Sequence, residues 1–106
     1  ALKDDGIMVN QQGSPFYRHD AQAMQRSHKR IASTFPISRV YQAHIPTYAA
    51  GYWLFGFASK KYHPIDDFDR EKWLKLHLKT KYYTVRLHAG AFFLPAFLEE
   101  MLEEVE

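Results

Sequence analysis

Six histidines and no cysteines set the first question for this sequence, because these side chains bind metals and relay protons most readily. A zinc site needs ligands at short, fixed spacings, as in His-Glu-x-x-His on one helix. His19, His28, His44, His63, His77 and His88 fall on separate stretches without that spacing, so no metal centre is expected. Nucleophilic catalysis has no better footing. None of Ser14, Ser27, Ser33, Ser38 or Ser59 sits in a Gly-x-Ser-x-Gly elbow, and no Gly-x-Gly-x-x-Gly or phosphate loop occurs. The remaining candidates are an amide and several aromatics. Gln11 closes the run Ile7-Met8-Val9-Asn10-Gln11, and Thr47 and Tyr48 occupy a loop just ahead of Trp53. Tyr and Trp join an apolar body to a polar tip, which suits them to binding sites as well as to cores.

These residues need elements to hold them. Val40, Gln42 and His44 alternate with Tyr41, Ala43 and Ile45, and Trp53, Phe55 and Phe57 alternate with Tyr52, Leu54, Gly56 and Ala58. Two period-2 runs predict an antiparallel pair, the chain leaving one strand at Ile45 and entering its partner at Tyr52. Pro46 cannot donate to a ladder and Gly51 tolerates positive φ, so both belong to the turn. An aromatic-rich hairpin is equally a core element, and for Trp53 both packing and ligand contact stand open.

Upstream, the apolar run from Ile7 predicts a strand covered on both faces, with Gln11 at its carboxyl end. In open α/β sheets ligands bind outside the carboxyl ends of the strands, which gives Gln11 a functional reading; the other reading is an amide that satisfies loop backbone. Gln12-Gly13-Ser14-Pro15 is turn chemistry. From Asp20 to Phe35, the residues Met24, His28, Ile31 and Phe35 share one helical face, with Asp20 as cap or first-turn acid, Pro36 as exit and His28 as a packing residue at the margin. Strand, helix and strand from Ile7 to Ile45 form a βαβ crossover, which implies a parallel pair, and the strand from Tyr52 to Ser59 then runs antiparallel to its predecessor. An α/β sheet that is mostly parallel and ends in one reversed strand is analogous to the methyltransferase branch of Rossmann-like folds.

At the start, Ala1-Leu2-Lys3-Asp4-Asp5-Gly6 reads as the last turn of a helix with a left-handed Gly6 past its end, which predicts a chain that begins inside a larger fold. The alternative is a short polar lead-in. Downstream, Asp66, Asp67 and Asp69 crowd the start of a short helix, and residues 73–78 fit neither period. Leu87 to Phe93 contains small residues that permit close backbone approach, and Pro95 opens a final helix burying Leu98, Met101, Leu102 and Val105.

Charge and composition exclude several classes. Fourteen basic residues, interspersed with twelve acidic ones, give a formal charge of only +2, so there is no basic stripe for nucleic acid. No apolar run approaches the roughly 20 residues that a membrane-spanning helix needs. The lack of cysteine rules out disulfides and thiolate ligands and is compatible with the cytosol.

Taken in order, a set of short motifs spans nearly the whole chain: Leu2-Lys3-Asp4-Asp5-Gly6-Ile7 through Gln11, Ser14-Pro15-Phe16, Ile45-Pro46-Thr47-Tyr48 with Gly51 and Trp53, Ala58-Ser59-Lys60, Lys81-Tyr82-Tyr83, and His88 with Ala91-Phe92 and Leu94-Pro95-x-Phe97. In this arrangement the sequence resembles the carboxyl-terminal portion of the polyamine aminopropyltransferases, the spermidine synthase family. The resemblance implies that residues 1–106 are the distal half of one catalytic domain, without its cofactor-binding half and N-terminal β-domain. It implies transfer of an aminopropyl group from decarboxylated S-adenosylmethionine, a co-substrate of the complete enzyme that this chain alone does not bind, to putrescine or a similar amine. The catalytic carboxylate lies outside this sequence, so no catalytic residue is expected here. Gln11, Tyr48 and Trp53 match positions that line the amine-acceptor pocket, while His88 and Tyr83 match structural positions. A homo-oligomer in the bacterial cytoplasm, partnered by the remaining half of the enzyme and a small polyamine, is the implied state. Ala49-Ala50 in place of the usual Pro-Ser, Gly90 in place of Ala and a longer helix after Phe16 leave acceptor length open. A second hypothesis is a non-enzymatic binding or assembly module derived from the same fold.

Overall fold

The computed structural model describes residues 2–49 and 51–103. In chain order the elements are β1 (Ile7–Gly13), α1 (Arg18–Thr34), β2 (Ile37–His44), β3 (Tyr52–Ser59), α2 (Arg70–Lys75), α3 (Val85–Gly90) and α4 (Ala96–Glu103). The hairpin forms as its turn chemistry dictates. Gly51 takes φ 71°, a left-handed value that costs other residues more. The turn closes through Ile45 N–H donating to the Gly51 carbonyl at 2.7 Å and Tyr48 N–H donating to the Ile45 carbonyl at 3.1 Å. β2 and β3 then pair antiparallel from His44↔Tyr52 back to Ile37↔Ser59.

The expected parallel pair is not formed. The strand order is β1-β3-β2, and both ladders are antiparallel, with Ile7↔Ser59 and Gln11↔Phe55 joining β1 to β3. β1 and β2 do run in the same direction on either side of the crossover helix, but the hairpin folds β3 back into the gap between them. Among the described residues the architecture is therefore α/β with a three-stranded antiparallel sheet, not a mostly parallel one. The first strand is also longer than expected and is not covered on both faces: Ile7 and Val9 stay 52% and 58% exposed.

Helix α1 lies across one face, burying Ala21, Met24 and His28. His28 is 2% exposed, so it sits inside the packed face and not at its margin. Tyr17 is the N-cap residue without a side-chain bond, which leaves Asp20 as the first-turn acid. Met24, Val40, Leu54, Leu98 and Leu102 form the core, joining α1, the sheet and α4. Complete burial of side chains of this size contributes about 1.5–3 kcal/mol each. Ala1 and Val105, which the sequence placed in a helix exit and in the final buried face, lie outside the described residues. Gly6 is not left-handed; it closes a turn by donating to the Lys3 carbonyl at 2.9 Å.

The C-terminal stretch carries two short capped helices. Asp69 accepts from Lys72 N–H at 3.0 Å to open α2, and Thr84 accepts from Leu87 N–H at 3.0 Å to open α3, an element the apolar pattern did not predict. Residues on either side of α3 seal the outer edge of β2: Gln42 N–H donates to the Ala91 carbonyl at 2.9 Å, and His44 N–H donates to the Tyr82 hydroxyl at 3.0 Å. No described strand pairs with the outer edge of β1.

Candidate functional site

Side chains alternate across a pleated sheet, so register decides which of them meet. Gln11 faces Phe55 on the side opposite α1, and Trp53 stands two residues along β3 on the same side, about 7 Å away at ordinary strand rise. The Tyr48 ring packs on the Trp53 indole with centroids 4.4 Å apart and planes at 44°. Because β1 and β2 end at the same side of the sheet as β3 begins, Gln11, Tyr48 and Trp53 gather at one end of it. Gln11 and Tyr48 are exposed there. Trp53 is half-buried, and its Nε1 is buried without a hydrogen-bond partner among the described residues. Gly13 takes φ 90° and lies beside the indole, where a Cβ would make ordinary van der Waals contact with Trp53 Cζ2 at 3.9 Å. Nearby, the Tyr52 hydroxyl bonds the Gln42 side-chain oxygen. Burial pushes the Tyr52 phenol above its ordinary range, which keeps it a neutral donor.

A second concavity, roughly 630 Å³, opens farther along the same face between Ile7, Val9, Tyr41, Phe57, Phe92 and His88. The sequence did not predict it, because its walls come from β1, β2, β3 and α3 together. The His88 ring has both nitrogens engaged: Nε2 lies 2.7 Å from the Pro64 carbonyl and Nδ1 lies 2.7 Å from the Tyr83 hydroxyl. A carbonyl only accepts, so Nε2 carries a hydrogen and donates to Pro64, while Nδ1 pairs with the Tyr83 hydroxyl. Burial also raises the Tyr83 phenol, holding it in the donor form. Phe68 stacks on the imidazole at 3.9 Å with planes 6° apart. His88 thus ties the loop before α2 to α3, in keeping with a structural role. Among the described residues no group of three or more His, Cys, Asp or Glu is placed to hold a metal ion.

An amide, a phenol and an indole at one rim can bind and orient an amine or its ammonium ion. They supply no nucleophile and no carboxylate base. Fold and site therefore define an α/β unit that carries an amide and two aromatic rings at one rim. Residues 1–69 match the family model of the spermine/spermidine synthase domain. The chain is 62% identical over all of its 106 residues to the polyamine aminopropyltransferase of Streptococcus pneumoniae serotype 4, of which it spans 37%. It is 62% identical over the same length to that of Agathobacter rectalis, and 63% identical over 102 residues to that of Clostridium beijerinckii. The crystal structure of spermidine synthase from Thermotoga maritima superposes with a TM-score of 0.90 at 39% identity, covering 98% of this chain and 36% of that one. A spermidine synthase in complex with the transition state analogue AdoDATO matches equally well. The chain belongs to the spermine/spermidine synthase family, and it spans little more than a third of the length of the relatives it matches.

Proposed function

We propose that this chain is the distal part of a polyamine aminopropyltransferase and forms one wall of its amine-acceptor pocket. The observation that carries the reading is the convergence of Gln11, Tyr48 and Trp53 at one end of the sheet, in a chain whose full length matches named aminopropyltransferases. The reaction is a displacement. The acceptor nitrogen attacks the aminopropyl methylene next to the donor's sulfonium, the carbon–sulfur bond breaks, and methylthioadenosine leaves with the electron pair. The nitrogen sheds a proton to a base. Nothing in the wall described here supplies that base, so the carboxylate and the donor-binding loop belong to sequence outside this chain.

The roles of the local residues follow from their chemistry. The Gln11 amide oxygen accepts from the acceptor amine and orients its lone pair toward the methylene. The Tyr48 hydroxyl and ring hold the chain of the amine, a cation near the ring face gaining about 1 kcal/mol. Trp53 bounds the distal end. The open outer edge of β1 and the exposed Ile7 and Val9 support a sheet that continues, in the Rossmann-like manner, into the rest of the catalytic domain. That same edge speaks against a self-sufficient binding module. Decarboxylated S-adenosylmethionine as donor, putrescine or a similar amine as acceptor, a homo-oligomeric assembly and a cytoplasmic setting complete the reading.

The test is Tyr48→Phe in the full-length protein, with methylthioadenosine release followed against each substrate in turn. The expected result is a KM for putrescine raised by about tenfold with the donor KM nearly unchanged. Unaltered acceptor kinetics would remove Tyr48 from the pocket.

A further inference from the structure

Beside Gln11 lie buried polar atoms that acceptor binding does not use. The β1–β3 ladder slips there: Gln11 faces Phe55 and Gly13 faces Leu54, so Gln12 is an extra residue on β1. A bulge of this kind bends its strand, raises the local twist and re-aims the neighbouring side chains. Gln12 points away from Gln11, toward the α1 face, and is 8% exposed. Neither the nitrogen nor the oxygen of its amide has a hydrogen-bond partner among the described residues, and the same holds for Asn10 Oδ1. Asn10 Nδ2 donates to Ser27 Oγ at 3.4 Å, which anchors that amide to α1.

The room for both amides comes from Gly56. A Cβ at that position would strike Asn10 Oδ1 and Gln12 Nε2 together. An acceptor and a donor thus face one point above the central strand. An apolar side chain would fill this place at less cost than a buried amide. A glutamine in that place, with both amide atoms buried, points to a task beyond filling space.

We propose that Gln12 is a positioning residue for the acceptor pocket. Its amide, held with Asn10 in the cradle left by Gly56, locks the bulge. The bulge in turn aims Gln11 out of the sheet and sets Gly13 against Trp53, fixing the width of the pocket at that point. The inference rests on the reading of Gln11 as an acceptor ligand.

The experiment uses the full-length protein with putrescine as the varied acceptor. Gln12→Met keeps the length and volume of the side chain and removes its amide. It is expected to raise the putrescine KM by about tenfold, leave the donor KM unchanged and lower Tm by less than about 4 °C. Gln12→Asn, which retains an amide, is expected to recover part of the loss. A Gln12→Met protein with a lowered Tm and both KM values unchanged overturns the proposal and makes Gln12 a packing residue. If Gln12→Met yields no folded protein, Gly13→Ala strains the bulge at φ 90° without touching the amide, and an unchanged putrescine KM there overturns it equally. Gln11→Ala separates the two readings. A raised putrescine KM in Gln11→Ala beside an unaffected Gln12→Met removes the positioning role alone, and an unaffected Gln11→Ala removes the acceptor reading and this proposal with it.

Discussion

Gly56 in the central strand is the position where a single methyl group should matter most. In Gly56→Ala the new Cβ meets Asn10 Oδ1 and Gln12 Nε2 and comes within 3.2 Å of Gln12 Cδ, in a strand flanked by ladders on both sides. Overpacking of this kind costs about 1–3 kcal/mol. Moving the Asn10 amide also breaks its bond to Ser27, worth about 0.5–1.5 kcal/mol, so the total is about 1.5–4.5 kcal/mol. Gly90→Ala is the control. A Cβ there meets nothing within 4 Å, Gly90 closes α3 without positive φ, and the exchange should stabilise by about 0.4–1 kcal/mol through the unfolded chain. Urea midpoints of the full-length protein, read by circular dichroism, check both. Adding Gln12→Ala to Gly56→Ala should return part of the loss, since one of the two obstructions is gone. Equal midpoints for the two alanine variants, or no relief in the double variant, would refute the account of Gly56 as the floor of a polar cradle.

Other outcomes stem from burial. Met24→Ala removes a fully buried side chain from the cluster with Val40, Leu54, Leu98 and Leu102 and should cost about 2–5 kcal/mol in the same assay. Burial raises the phenols of Tyr41, Tyr52 and Tyr83 above 10.0. Above that value the unfolded chain releases phenolic protons that the folded chain keeps, so the unfolded state binds fewer protons and stability falls as pH rises through the folded values. Urea midpoints taken between about pH 8 and 11 should therefore be level at first and then decline, less steeply in Tyr41→Phe; an identical slope in that variant would exclude Tyr41 as a contributor.

The sequence made the hairpin legible because its signals are local. Pro46 and Gly51 mark the turn, and the alternation from Tyr52 to Ser59 marks the strand. It did not show that β3 enters between β1 and β2, since a period-2 pattern says which face a residue takes and nothing about which edge it pairs with. Ile7 and Val9 looked like core because apolar composition cannot tell a covered face from an open one. α3 escaped notice because its six residues are too few for helical periodicity, although Thr84 three residues before Leu87 is a capping signal. At the site, Gln11, Tyr48 and Trp53 could be named from motifs, but their meeting depends on register. Gln12 was read as part of a turn. The available hint was Gly56 inside a strand pattern, which often marks a bulge or a close approach by a neighbour.

The order β1-β3-β2 also constrains when the sheet can assemble. Contacts within the β2–β3 hairpin are short-range, while β1 must wait for partners roughly forty to fifty residues further on. Of the three strands β1 is therefore made first and joins β3 last. The β2 amides that point to β3, Tyr41 and Ala43 in alternation with the outward Gln42 and His44, should gain protection from hydrogen exchange before those by which β1 pairs with β3 in a refolding pulse. Until then β1 is the stretch of this chain that a chaperone, or a second unfolded copy, would seize.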